Sequence, residues 1–305
     1  MNKKIITAVS ALLLFVPTVA YSATPTSTPT LAILDTGLDT SLPQLQGKIA
    51  YEVCILEWNT CPNNQKFMEG PGSSVISSKF INSSGLDHGT QMASAAIQTN
   101  PNMKIVFVRI IGVTSTGSRQ VAGESTIINA LNWVLQNKDK FNIQAVSLAQ
   151  THHVLLNGTN YCPNTPLTAG LIKVLNQANV PVFASAGNNR DYKRIDWPSC
   201  LPDSIGVGAT MDGDSIAVYS NADPNLLDFY ALGSMRVKLP GNKDINASGT
   251  SISTQVAAAT WVAYKTKNPN LSNQDVYNKF VSTSIETAGR GTSGKLIDSY
   301  GLING

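Results

Sequence analysis

Short apolar runs rich in β-branched residues alternate along this chain with longer stretches of helical periodicity, and that alternation restricts the fold more than any other feature. Leu31–Leu34, Lys104–Ile111, Ile143–Leu148, Val180–Ala184, Ser204–Ala209 and Leu226–Ala231 read as strands. Gly89–Gln98, Glu124–Lys138, Pro166–Ala178, Gly249–Lys267 and Ser272–Ser282 read as helices. In the second of these, Ile127, Ile128, Leu131, Val134 and Leu135 share one face. Strands alternating with helices predict a mostly parallel sheet covered on both faces and joined by right-handed crossovers. With 305 residues, 42% of them hydrophobic and 13% charged, the chain can bury such a sheet as one α/β domain without a metal or disulfide.

The ends of these elements carry the reactive side chains. Asp35-Thr36-Gly37 ends the first strand, and Ala186-Gly187-Asn188 follows a later one. His88-Gly89-Thr90 and Gly249-Thr250-Ser251 open helices. In open α/β sheets the ligand crevice lies beyond the carboxyl ends of the strands, so the four motifs are predicted to meet on one edge. Each is weak alone, but together they supply a nucleophile, a base, an orienting carboxylate and an amide donor. Other chemistries fit less well. An aspartic protease needs a second Asp-Thr/Ser-Gly, and Asp212-Gly213-Asp214-Ser215 has the wrong order. The Gly-x-Ser-x-Gly of an α/β-hydrolase fails because Ser253 stands where its second glycine belongs. The pair His152-His153 lacks a nearby carboxylate or third histidine to make a metal site.

In this order the motifs resemble those of the subtilase family, and the resemblance runs from about Leu31 to Ser282. "LAILDTGLD" looks like the family's Asp strand and "DHGTQMASAAI" its His helix. "INALNWVLQN" with "IQAVSLAQ" is similar to its surface helix and substrate strand. "VPVFASAGNN" resembles the oxyanion strand, "SIGVGATMDGDSIAVYSN" the Val-Gly-Ala stretch, and "NASGTSISTQVAAATWVAY" the Ser helix. The resemblance implies a subtilisin-like three-layer α/β/α fold over 31–305 and a secreted serine endopeptidase acting on polypeptides. It implies Asp35, His88 and Ser251 as the triad and Asn188 as oxyanion donor. Ser147, Leu148, Ala149 and Gly187 would then line the substrate site, with Asp196 near the floor of the S1 pocket, favouring Arg or Lys at P1. The bland alternative for Asp196 is an exposed loop residue paired with Lys193 or Arg194. Two further readings of the same residues are a catalytically silent fold kept for binding, and a transpeptidase or ligase.

The chain departs from the family pattern in several places. Between Ala23 and Asp35 there is no room for the usual propeptide domain, which implies unaided folding or an external folding helper or inhibitor. Ile252 and Gln255 stand where Met and Pro are usual in the Ser helix. Gln255 either regularises the helix or alters how an acyl-enzyme partitions between water and amines. Ala149 replaces a glycine, which implies a narrower mouth to the S1 pocket. The short loop "IQTNPNMKIVFVRI" after the His helix, with Gln44 where a carboxylate ligand is usual, implies that the family calcium site is absent, and no other cofactor is expected.

The first residues read as an export signal, 1–23: Lys3 and Lys4 precede an apolar Ile5–Ala20, with small residues Ala20, Ser22 and Ala23 for cleavage. Residues 24–30 read as a short disordered N-terminus, and the protein as secreted or periplasmic. Export makes disulfides the natural reading of the four cysteines. Cys54 and Cys61 share one polar loop, which favours 54–61 with 162–200 among three possible pairings. Without Lys3 and Lys4 the chain has 20 basic residues against 19 acidic, which offers nothing to nucleic acid or to an anionic membrane. A monomer without a membrane segment after signal removal is the default expectation.

Overall fold

The strand Thr30–Asp35 (β1) sends Leu31 and Ile33 into one apolar cluster and Ala32 and Leu34 into another, as the two-residue period of a strand requires. Lys104–Arg109 repeats the pattern with Ile105 and Phe107 against Val106 and Val108. Strands apolar on both faces need covering on both, and that demand sets the layers. The structure, a computed structural model, describes residues 28–305 except 82–84, 153–161 and 212–213. The export segment, His153 and the Asp212-Gly213 pair lie outside the described residues.

Seven parallel strands form the sheet: β1, Ile49–Ile55 (β2), Lys104–Arg109 (β3), Ile143–Leu148 (β4), Val182–Ser185 (β5), Ser204–Met211 (β6) and Phe229–Leu232 (β7). Their order is β7-β6-β5-β4-β1-β3-β2. Phe67–Glu69, antiparallel to β2, and the antiparallel hairpin Ile285–Gly289/Thr292–Leu296, whose second strand meets β7 in parallel, extend the edges. Helices His88–Thr99 (α1) and Thr250–Lys267 (α4) cover one face. Glu124–Asn137 (α2) and Pro166–Gln177 (α3) cover the other. Asn273–Thr283 (α5) packs Val276 and Phe280 beside Trp261 of α4, and Ser299–Asn304 (α6) closes the chain. The chain reverses direction across the sheet at β1, which lies between β3 and β4, so a crevice opens at its carboxyl end.

Three details differ from expectation. The first strand begins at Thr30, not Leu31: this residue is fully buried, pairs with Lys104 and Ile143, and donates its hydroxyl to the Phe141 carbonyl. Residue 30 therefore belongs to the sheet and not to the expected N-terminal segment. Cys54 is no loop residue but an interior position of β2, while Cys61 lies in the following turn. Alternation hid that strand, because Glu52 sits within it with its carboxylate taking hydrogen bonds from the Gly72 and Ser74 amides and the Ser74 hydroxyl.

The two disulfides, Cys54–Cys61 and Cys162–Cys200, are the pairing favoured from sequence. The second closes a 38-residue separation and the first only 7. Loop-closure entropy assigns the longer bridge about 4 kcal/mol and the shorter about 2. The double variant Cys162→Ala/Cys200→Ala is therefore expected to lose more stability in urea unfolding than Cys54→Ala/Cys61→Ala. Equal losses would show that native packing, not the unfolded chain, sets the value of both bridges.

Candidate active site

Asp35 ends β1 with its side chain completely buried, so its carboxylate must find donors within the protein. It accepts from the Thr36 amide at 2.7 Å and meets His88 Nδ1 at 2.8 Å through Oδ1 and 3.0 Å through Oδ2. Thr36 fixes where that histidine stands. Its hydroxyl donates to the Leu86 carbonyl at 3.0 Å and accepts from the Gly89 amide at 2.8 Å, clamping the start of α1 against the Asp turn. Gly89 permits the approach: a Cβ there would fall 2.5 Å from the Gly37 carbonyl and 2.6 Å from the Phe107 ring.

His88 keeps 21% of its side chain open to solvent. Burial pulls its pKa down, but the charge and hydrogen bond of Asp35 together outweigh that and leave it above the ordinary histidine value. Asp87 adds to the rise, whereas the exposed Arg119 opposes it.

Ser251 is the second residue of α4, 8% exposed, with its hydroxyl directed at the Ala149 carbonyl at 3.4 Å. Among the described residues it makes no hydrogen bond to His88. Its backbone N–H is one of the helix's first four, which have no intrahelical acceptor. Asn188 sits at the same helix start. Its Oδ1 accepts from the Thr250 amide at 2.9 Å and the Thr250 hydroxyl at 3.1 Å, so its Nδ2 is the end left to donate away from the helix. The Thr250 hydroxyl also receives the Gly187 amide at 3.2 Å, tying the segment after β5 to α4.

Of the substrate-site residues, Ser147 and Leu148 are fully buried in the sheet and present no side chain to the crevice. The strand meets Ser251 two residues past Ser147, at Ala149. Ser147 has another partner: Gln255 of α4, itself fully buried, donates to its hydroxyl at 2.6 Å. Gln255 thus ties helix to sheet, which is more than regularising the helix.

Gly187 has φ +101 and lies so close to Asp196 that a side chain there would overlap the carboxylate. Asp196 is 3% exposed, which excludes the exposed-loop alternative. It accepts from Thr151 Oγ1 at 3.1 Å, Asn189 Nδ2 at 3.3 Å and Asn221 Nδ2 at 3.0 Å.

Two further side chains of the site close stretches that resemble the family, Gln150 ending "IQAVSLAQ" and Asn221 ending "SIGVGATMDGDSIAVYSN", and neither is among the expected site residues. Asn221, fully buried, also accepts the Asn189 and Asp191 amides at 2.8 and 3.1 Å and donates its own amide to the Gly187 carbonyl at 2.9 Å, so it holds the whole loop after Asn188. Gln150, 5% exposed, donates to Asp35 Oδ1 at 3.1 Å and lies 3.2 Å from His88 Nδ1. No periodicity or spacing marks either; both are recruited by the register of strands distant in sequence.

The sequence matches the Subtilase family (Peptidase_S8) over residues 26–301. It is 26% identical to subtilisin amylosacchariticus of Bacillus subtilis subsp. amylosacchariticus over 90% of this chain and 64% of that one, so it spans less than two thirds of that relative's length. Subtilisin of Bacillus pumilus is 26% identical over 90% of this chain and 88% of its own. Among solved structures, a cold adapted subtilisin-like serine proteinase superposes with a TM-score of 0.66 at 23% identity, covering 89% of this chain and 88% of its own. An epidermin leader peptide processing serine protease from Staphylococcus aureus gives 0.71 at 15% identity, covering 93% and 77%. With the matched family spanning nearly the whole described chain and the three-layer fold shared by these structures, the protein belongs to the subtilase family.

Proposed function

We propose that the chain is a serine endopeptidase that acts outside the cytoplasm. The observation that carries this reading is the buried Asp35–His88 hydrogen bond of 2.8 Å set beside a serine and an amide donor at one helix start. In the proposed cycle Ser251 Oγ turns from the Ala149 carbonyl toward His88 Nε2 and attacks the scissile carbonyl. His88 takes the hydroxyl proton and passes it to the leaving amine, and Asp35 stabilises the imidazolium between the two transfers. Asn188 Nδ2 and the Ser251 amide donate to the oxyanion, aided by the positive end of α4. Water then attacks the acyl-enzyme by the same path. Two disulfides and the apolar segment preceded by Lys3 and Lys4 support export.

Substrate preference follows from Asp196. Its carboxylate lies beneath Gly187, in the segment between β5 and Asn188, and Thr151 of the segment following Ala149 donates to it. A P1 side chain entering between these segments meets a negative charge at depth, so Arg or Lys at P1 is favoured through a charge-assisted contact.

Stoichiometric labelling of the wild type by a fluorophosphonate, mapped to Ser251 and lost in Ser251→Ala and His88→Ala, is the expected result; a folded wild type that takes no label would leave a silent binding fold. In peptide hydrolysis, Asn188→Ala is expected to lower kcat by about 100- to 1000-fold with KM little changed.

A library of P1 variants should show Arg and Lys ahead of neutral residues, and Asp196→Asn should remove most of that preference. Neutral P1 residues leading in the wild type would rule out Asp196 as the selecting charge.

Because turnover needs neutral His88, its raised pKa places the acid limb of kcat/KM above the ordinary histidine value of about 6.5. Arg119 disfavours the imidazolium, so Arg119→Gln is expected to move that limb to still higher pH. Added salt should shrink the difference between the two proteins, since an exposed charge is screened beyond about 10 Å at 0.1 M. A limb moving to lower pH in the variant would reverse the assigned sign.

A further inference from the structure

We infer that Gln150 is a positioning residue of the triad, its side-chain amide holding the Asp35 carboxylate in the form that keeps the His88 proton on Nδ1. The inference rests on the reading of Asp35, His88 and Ser251 as the reacting set. It begins with register. Leu148, the last residue of β4, pairs with Leu34 of β1, so the next two residues of one strand run beside Asp35 of the other. Ala149 then presents its carbonyl to Ser251 Oγ, and Gln150 presents its amide to Asp35 and His88. Two consecutive residues thus touch all three members of the triad.

The orientation of the amide follows from charge. Turned the other way, Gln150 Oε1 would face Asp35 Oδ1, two acceptors in contact in a site shut off from water. Nitrogen toward the carboxylate is the arrangement that satisfies both groups. Gln150 Nε2 has a second partner in reach, the lone pair that His88 Nδ1 would expose if the imidazole proton moved to Nε2. That tautomer is unproductive, because Nε2 could no longer accept from Ser251. A bond to an ionised oxygen is roughly twice as strong as one between neutral groups. Asp35 at 3.1 Å therefore wins over Nδ1 at 3.2 Å, and His88 keeps its proton on Nδ1.

Donation to Oδ1 has a further effect. It disperses part of the carboxylate's charge, so Asp35 holds the imidazolium less tightly than it would with His88 and the Thr36 amide alone. The other charges acting on His88 are Asp87, which favours the imidazolium, and Arg119, which disfavours it. Gln150 is the neutral group that tempers the base from within.

The test uses the mature protein with two substitutions. Gln150→Glu is isosteric and sets an anion beside Asp35 and His88; Gln150→Leu keeps bulk but removes the donor. Two readouts are taken for each: the pH dependence of fluorophosphonate labelling, and the NMR titration of His88, tractable because the chain has only three histidines. The expected result is an acid limb and a His88 pKa moved up in both variants, by about one to two pH units in Gln150→Glu and by roughly half a unit in Gln150→Leu. At pH 6 the first corresponds to labelling slowed about 10- to 100-fold. If both variants lose amplitude but titrate as the wild type does, Gln150 is a packing residue and the inference is overturned. If the wild type takes no label at all, the reading of Ser251 fails, while the His88 titrations still decide for or against Gln150.

Discussion

A carboxylate completely shut off from water at the end of β1 is the constraint on which the rest of the site depends. An isolated buried charge is prohibitive unless hydrogen bonds replace its lost hydration. Here three elements supply the donors: the turn after β1 through Thr36, α1 through His88, and the segment after β4 through Gln150. Each donor lies on a different piece of backbone, so satisfying one charge joins a strand, a helix and a neighbouring strand end. The Thr36 hydroxyl completes the joint by bridging Leu86 and Gly89, and the absence of a side chain at Gly89 lets α1 come near enough to be bridged. The proposed catalytic geometry and the satisfaction of the buried charge are therefore one arrangement. Loosening the first exposes the second.

The serine half of the site is built on the same principle with neutral groups. Thr250 is its hub: its hydroxyl accepts from Gly187 and donates to Asn188, and its amide, an otherwise orphaned N–H of the helix start, also goes to Asn188. Helix capping and aiming of the Asn188 amide are thus a single set of bonds. Asn221 holds the far side of the loop and fixes Asp196 beneath Gly187. Gln255 adds a tie from α4 to β4 that a proline at the same place could not make. The two halves meet at Ala149–Gln150, one residue facing the serine and the next the aspartate.

What was legible in the sequence and what was not divide along physical lines. Strands buried on both faces and helices with one apolar face announce themselves through period, and the residues at their ends follow from the rule that ligands sit beyond strand carboxyl ends. Asp35, His88, Asn188 and Ser251 stand at such element ends, and the resemblance to the family is what singles them out. The strand β2 was not, because Glu52 breaks its apolar run, and that residue is tolerated only because backbone amides 20 and 22 positions away satisfy it. The hairpins Ser234–Leu239/Lys243–Ser248 and Ile285–Gly289/Thr292–Leu296 were also unmarked, being largely polar edges whose identity comes from pairing. Gln150 and Asn221 stand inside stretches that resemble the family, yet their contacts were unreadable for the same reason at the scale of single side chains. Each is an ordinary polar residue until the sheet register brings a distant acceptor to it.

This distinction bears on where specificity can change in such a fold. The groups that carry charge or bonds to the reacting atoms are confined by the buried carboxylate and the helix start, and altering them disturbs several elements at once. Asp196 and Arg119 stand differently. Asp196 is held by neutral side chains on three separate segments, Thr151, Asn189 and Asn221, none of which contacts the Asp35–His88 pair. Arg119 is exposed and acts on His88 through space. Under the proposed reading one faces the substrate side chain and the other tunes the base, and both can vary while the buried charge and its donors stay fixed. The site therefore has a rigid interior, defined by what Asp35 requires, and a margin of charges that can change without disturbing it.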